Sequence, residues 1–162
     1  MQLRVVVPRL VKAVAFIAVS LISAAVPANA QVVRLPLPNG STFPISQGVW
    51  VGKTLYLSGV PTPSTSTAHD TEGQTVDTIK VIETELKAQK LTLGDVVMMH
   101  VYLVGDPANG GKLDFAGFMK GYSQFFGTKD QPNKPARSAM QVAALASPTA
   151  LVEIEVIAVK PD

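Results

Sequence analysis

The stretch "KPARSAMQVAALASPTALVEIEVIAV", residues 134–159, decides the fold because it contains two strand-like runs around a single turn. The pattern predicts strands at residues 138–145 and 151–159, separated by the turn sequence "ASPTA". The second run is apolar or β-branched at nearly every position, so we expect neither of its faces to meet bulk water. Helices can cover only one face of a single sheet, and a symmetric oligomer is expected to cover the other.

Upstream of this stretch, three further runs favour β-strands. The sequences "GVWVG" and "TLYLSGV" flank Gly52-Lys53 and predict a hairpin, and "DVVMMHVYLVG" predicts a longer strand. Residues 31–45 are punctuated by Pro and Gly and are interpreted as an extended lead-in.

Two amphipathic segments lie between these strands. Apolar residues recur at helical spacing over about residues 72–90, with Asp70 and Thr71 available as caps. The sequence "DFAGFMKGYSQFFG" places aromatic residues at helical spacing and predicts a second helix that ends at Gly127. The element order is therefore ββαβαββ, which predicts an α+β domain with two helices on one face of a single sheet.

The first 30 residues are predicted to be a secretory signal peptide. Arg4, Arg9 and Lys12 precede an apolar run that ends in "ANA", Ala28 to Ala30, a small-x-small cleavage pattern. The alternative is a membrane anchor, but a spanning helix needs about 20 apolar residues and this run is shorter. We therefore expect an exported protein, periplasmic or secreted, without membrane attachment after cleavage.

Charge and composition disfavour several classes of function. Of 14 Lys and Arg residues, three lie in the first 30 residues, so the remaining chain carries 11 basic and 12 acidic residues, a formal charge of −1. Such a domain lacks the basic surface that nucleic acids require. The absence of cysteine excludes disulfides and thiolate chemistry, and His69 and His100 lie too far apart to suggest a metal site. No cofactor is expected.

Three charged residues in the quoted stretch could carry chemistry. Glu153 and Glu155 share one face of their strand, and antiparallel pairing with the preceding strand would place them near Arg137. Carboxylates within an apolar strand are costly unless they are paired or functional. Two interpretations stay open: an ion pair that fixes the strand register, or a site in which Arg137 binds the carboxylate of a ligand.

The sequence resembles the RidA/YjgF family of enamine/imine deaminases, also called the Rid or L-PSP group. The resemblance extends from "PISQGVWVGKTLYLSG" through "LGDVVMMHVYLV" and "FMKGYSQFFG" to the quoted stretch. In that stretch, "PARS" followed by "VEIE" is the most specific signature. The resemblance implies a chorismate-mutase-like ββαβαββ fold, a homotrimer with active sites in the clefts between subunits, and catalysis without a cofactor.

The resemblance also implies roles for individual residues. The family hydrolyses 2-imino or enamine acids to 2-keto acids and ammonia, which makes Arg137 a bidentate clamp for the substrate carboxylate. Glu153 matches the glutamate that orients and activates the attacking water. Ser58, Gly59 and Ser138 would complete the pocket by analogy.

Four positions of the implied pocket depart from the family pattern. The usual Tyr, Gln, Asn and Cys are replaced by Ile45, Val60, Met119 and Ala139. Because lost hydrogen-bond partners alter discrimination, this predicts an apolar-walled pocket that prefers bulkier substrates. The main alternative is a non-catalytic trimer that only binds small carboxylates. Ribonuclease activity would need a basic groove, which the charge of −1 disfavours.

Overall fold

The computed structural model describes residues 31–161, and the predicted signal peptide lies outside the described residues. The strands are β1 (Val32–Leu35), β2 (Gly48–Val51), β3 (Thr54–Leu57), β4 (Val60–Pro61), β5 (Val96–Val104), β6 (Ala136–Val142) and β7 (Val152–Val159), and the helices are α1 (Thr71–Ala88) and α2 (Phe115–Tyr122). One mixed sheet with two helices packed on it confirms the predicted α+β class. No helix in this part of the chain is both long and apolar enough to cross a membrane.

The strand order of the sheet is β1-β2-β3-β7-β5-β6, with β4 also paired to β7. All pairs are antiparallel except β5 and β6, which run parallel. The prediction that the last two strands pair with each other is therefore wrong, because β5 lies between them. The nine-residue β5 is the longest described strand, and it pairs with β7 along one edge and with β6 along the other.

The N-terminal lead-in contributes a strand that the sequence interpretation missed. β1 pairs antiparallel with β2, from Val32 opposite Val51 to Leu35 opposite Gly48. Only the five residues 31–35 of the lead-in precede Pro36, too few for a strand pattern to be recognised. The predicted hairpin is confirmed, since β2 and β3 are joined by the two-residue loop Gly52-Lys53 and Gly52 has a φ of +59°.

Helix α1 forms close to its predicted position. The Asp70 side chain accepts a hydrogen bond from the Gly73 amide at 2.8 Å, which satisfies one of the free N–H groups of the first turn. The apolar face packs Ile79, Ile82 and Leu86 into the core.

Helix α2 is shorter than predicted and ends at Tyr122, not Gly127. Beyond this point the chain tightens, because the Gln124 amide donates to the Gly121 carbonyl, three residues earlier, at 3.3 Å. The aromatic contacts continue past the helix end, with the rings of Tyr122 and Phe126 stacked at a centroid distance of 4.8 Å. Phe126 therefore joins the core, whereas Phe115 at the helix start is 48% exposed.

A buried glutamine ties α1 to the loops around it. Gln74 is 4% exposed, and its Oε1 accepts hydrogen bonds from the Leu151 amide at 2.7 Å and the Thr62 hydroxyl at 2.8 Å. Its Nε2 donates to the carbonyls of Ala68 and Thr149 at 3.2 and 3.1 Å. All four hydrogen-bonding positions of the amide are thus used, and they fix the entry to β7.

Replacing Gln74 with leucine is expected to lower the stability of the fold by about 2–3 kcal/mol, because buried partners lose their hydrogen bonds. Thermal and urea unfolding at equal protein concentration measures the change. The exposed Gln124→Leu variant is the matched control and should unfold like the wild type. A Gln74→Leu variant of unchanged stability would show that solvent replaces these hydrogen bonds.

Candidate functional site

The two faces of the sheet have different chemistry. Along β7 every second residue is buried beneath the helices, whereas Glu153 and Glu155 lie on the opposite face, which we call the open face. On the adjacent β5, Tyr102 pairs with Glu153 and His100 with Glu155. The centre of the open face is therefore polar, and the two glutamates share this face as the sequence predicts.

Glu153 is a carboxyl group with altered acidity. Burial, and secondly the charge of Glu155, raises the pKa of the Glu153 carboxyl above its ordinary value. The carboxylate lies against Gly59, where a Cβ atom would collide with it. Pairing of β4 with β7 brings this glycine into place, since Pro61 lies opposite Glu153. A carboxylate of raised pKa, next to backbone without a side chain, is suited to accept a proton from a bound water.

Glu155 is held by neighbours on the open face. Its Oε1 accepts a hydrogen bond from the Tyr102 hydroxyl at 2.6 Å and lies 3.0 Å from Nδ1 of His100. The same hydrogen bond is the main cause of a raised pKa of Tyr102. Across residues 31–161, neither Glu153 nor Glu155 forms an ion pair with Arg137. The register-fixing ion pair with Arg137 is therefore not the role of either glutamate within one chain.

Arg137 lies on the helix-covered face, at the edge strand β6, opposite the buried Met99. Its guanidinium carbon lies 4.8 Å from the ring centre of Phe118 and 4.5 Å from that of Tyr122. Nη1 is 3.2 Å from Sδ of Met119. Aromatic faces and a thioether hold the cation without neutralising it, so its charge remains available for an anion.

A cleft of about 540 Å³ opens beside Arg137. Its walls come from the end of α2, the following turn and the segment before β6, and they include Met119, Tyr122, Phe126, Gly127 and Lys134. No Asp or Glu lines it. Burial raises the pKa of Tyr122 although the charge of Arg137 acts against this shift, so the phenol stays protonated and neutral. The aromatic spacing predicted the helix but not its contact with Arg137, and Lys134, three residues before Arg137, was not among the predicted site residues.

The structure places three further residues of the predicted pocket at separate positions. Ala139 is two residues beyond Arg137, is half-buried and packs against the core. Ser138 is exposed on the open face, opposite His100. The Ser58 hydroxyl donates to the Ser46 carbonyl at 2.7 Å and so holds the preceding loop.

The remaining two wall residues have different positions. Ile45, in the loop held by Ser58, is 51% exposed and can contribute to a pocket completed by another chain. Val60 is only 7% exposed and packs in the core opposite Ile154. We therefore withdraw Val60 as a wall of the pocket, because the strand pairing turns its side chain away from the surface.

Within one chain, Arg137 and Glu153 do not meet. They occupy opposite faces of the sheet, with β5 between their strands. Glu153 is level with Met140, since both pair with Tyr102, and Arg137 lies three residues from Met140. The offset is roughly 10 Å across the strands and roughly 10 Å along them. Each chain therefore carries two half-sites: an arginine cleft and a carboxyl on the open face.

The two histidines, which the sequence predicts to be too far apart for a metal site, lie in different parts of the fold. His69 lines a different cleft of about 530 Å³ near the start of α1, whereas His100 lies on the open face of the sheet. Residues 31–161 contain no group of three or more His, Asp or Glu side chains that could hold a metal ion.

The fold and the cleft define a small two-layer α+β protein whose concave site has the size of a small molecule. The family model described as endoribonuclease L-PSP matches residues 39–160, so the chain belongs to this family, the RidA/YjgF family. A RutC family protein of Saccharolobus solfataricus is 39% identical over 131 residues, which cover 78% of this chain and 93% of the relative. The predicted family resemblance is thereby confirmed.

Solved structures agree with this assignment. A YjgF family protein from Neisseria meningitidis has a TM-score of 0.65 at 24% identity, covering 83% of this chain and 99% of its own, which shows the shared fold. Escherichia coli TdcF, solved with bound serine, has a TM-score of 0.62 at 28% identity, covering 79% of this chain and 94% of its own.

Proposed function

We propose that the chain is a cofactor-independent enamine/imine deaminase that hydrolyses 2-imino acids to 2-keto acids and ammonia. The observation that carries the proposal is the Arg137 guanidinium, which is fixed by two aromatic rings and paired with no carboxylate of residues 31–161. A fixed, unneutralised guanidinium presents parallel N–H donors that match a substrate carboxylate. The serine bound to TdcF, also a small carboxylate, supports this class of ligand.

The proposed site is shared between subunits of a homotrimer, the assembly expected from the family resemblance. Arg137 of one subunit and Glu153 of the next would face the same cleft, because a single chain holds them on opposite faces of its sheet. The polar centre of the open face, with its carboxyl of raised pKa, then becomes a wall of the cleft instead of bulk-solvent surface.

The proposed reaction needs one water molecule and one proton carrier. Arg137 binds the substrate carboxylate, and the Glu153 carboxylate removes a proton from water as the oxygen attacks C2 of the protonated imine. The resulting carbinolamine has one new C–O bond. The proton held by Glu153 passes to the amine nitrogen and the C–N bond breaks. The hydroxyl proton then passes through Glu153 to the departing ammonia, so that the 2-keto acid and ammonium are released and Glu153 is again ionised. An enamine enters the same route after tautomerising to the imine.

The proposed preference for certain substrate side chains follows from the apolar wall residues that lie beside Arg137. Met119 contacts Arg137 directly, and Ala139 follows it on the same face of β6. We propose that this apolar wall favours bulkier imino acids over the smallest ones. The same wall supports the alternative function, a trimer that binds small carboxylates without turnover, because it lacks polar groups to orient a water.

Imine hydrolysis by the purified chain tests the proposal. An amino-acid oxidase generates imino acids in the cuvette, semicarbazide traps those that survive, and small and bulky side chains are compared. The deaminase proposal expects faster loss of the trapped product, most strongly for bulky side chains. Carboxylate binding without any acceleration would favour the binding protein.

We also propose export of the protein, which the first 30 residues predict. Its imines would then come from an amino-acid oxidase or dehydrogenase in the same compartment. Cell fractionation should recover the shortened chain outside the cytoplasm, and a full-length cytoplasmic protein would contradict the proposal.

A further inference from the structure

The arginine cleft contains a second cation. Lys134 lines the same cavity as Arg137, and no Asp or Glu does. None of the ion pairs found among residues 31–161 involves Lys134 or Arg137, so neither cation of the cleft is neutralised by a carboxylate of its own chain. We infer that this cleft takes ligands with two anionic groups, namely 2-imino dicarboxylic acids and their keto products. The inference rests on the proposed function and names its substrate class.

The position of Lys134 is set by the turn it packs against. Gly127 has a φ of +71°, and a Cβ atom there would lie 2.6 Å from Cε of Lys134. The aliphatic part of the lysine thus occupies the space that a side chain at position 127 would fill. Pro135 follows directly and restricts the backbone between the two cations. Lys134 is exposed to solvent, but packing of its aliphatic part against Gly127 holds it at the cleft.

The arrangement of charges favours two anionic groups over one. A single carboxylate on Arg137 leaves the ammonium group of Lys134 unpaired, whereas a second carboxylate on the same ligand pairs with it. The α-carbons of these residues are three positions apart, at most about 10 Å, and both side chains are long enough to reach one ligand. Tyr122 lines the cleft together with both cations, and we propose a five-carbon dicarboxylate as the ligand that joins them.

A calorimetric comparison of 2-oxoglutarate with 2-oxopentanoate tests the inference, because the two share a five-carbon chain and differ by one carboxylate. The wild type should bind 2-oxoglutarate about tenfold more tightly. Lys134→Met should remove this preference, because it weakens the binding of 2-oxoglutarate far more than that of 2-oxopentanoate. Lys129→Met, a lysine of the same loop that does not line the cleft, is the control and should keep the preference.

The outcomes separate this inference from the proposed function. Equal binding of the two keto acids by the wild type, or an equal loss of both in Lys134→Met, would overturn the dicarboxylate inference while leaving Arg137 as the carboxylate clamp. Failure of the wild type to bind either keto acid would overturn both. A preference that persists in Lys134→Met would also contradict the assigned role of the lysine.

Discussion

Replacement of Arg137 by alanine is expected to weaken the binding of 2-keto and 2-imino acids by at least about 100-fold. The guanidinium is the group that pairs with the substrate carboxylate, and the side chains that hold it, Phe118, Tyr122 and Met119, carry no charge. Lys134, the other cation of the cleft, lacks the planar pair of N–H donors. The fold should persist, since Arg137 lies on an edge strand and forms no ion pair with residues 31–161. Calorimetric titration with a keto acid measures the loss.

Two further variants sharpen this result. Arg137→Lys keeps the charge but loses the planar pair of donors, so binding should weaken by about tenfold. Arg34→Ala removes an arginine from β1, at the opposite edge of the sheet, and should bind like the wild type. If Arg137→Ala binds as tightly as the wild type, the clamp is wrong. If it unfolds or dissociates, Arg137 has a structural role instead.

Replacement of Glu153 by glutamine is expected to lower turnover by about 100-fold or more while changing ligand binding by less than about twofold. The glutamine preserves the size of the side chain beside Gly59 but cannot remove a proton from water. In the wild type the active form is the ionised carboxylate, so activity should fall as the pH drops through the raised pKa of Glu153. This acidic limb should lie above the ordinary pKa of a glutamate and vanish in the variant.

The neighbouring glutamate provides a matched control for this pH dependence. The charge of Glu155 is the second cause of the raised pKa of Glu153, after burial. In Glu155→Gln the pKa of Glu153 should therefore fall only in part, and the acidic limb should move to lower pH while turnover persists. Unchanged turnover in Glu153→Gln, or an acidic limb that survives it, would remove Glu153 from the mechanism.

The sequence predicts the local elements of this fold well because their signals are local. Alternation, capping and helical spacing place both helices, the hairpin and the long strand β5 close to their observed positions. The order of strands depends on non-local pairing, and proximity in the chain wrongly suggested that β6 and β7 are neighbours. That one error misplaced the glutamates beside Arg137.

For the site, the residue types were predictable but their partners were not. Arg137 and Glu153 stand out because charge is rare in an apolar stretch, yet which face each occupies depends on register with β5. The aromatic rings that contact Arg137 recur at helical spacing along α2, and the same spacing predicts a row of buried core residues equally well. Val60 was misplaced because its pairing with Ile154 is set by β7, far along the chain.

The central claim is that Arg137 of one subunit works with Glu153 of the next, and mixed trimers test it most directly. Arg137→Ala and Glu153→Gln chains are each inactive in their own trimers by this account. When they are refolded together in equal amounts, each mixed trimer contains one interface with both residues intact. Imine hydrolysis should then recover to about one quarter of the wild-type rate, as random assembly of three subunits requires. Activity that stays at the level of the separate variants would contradict the shared site.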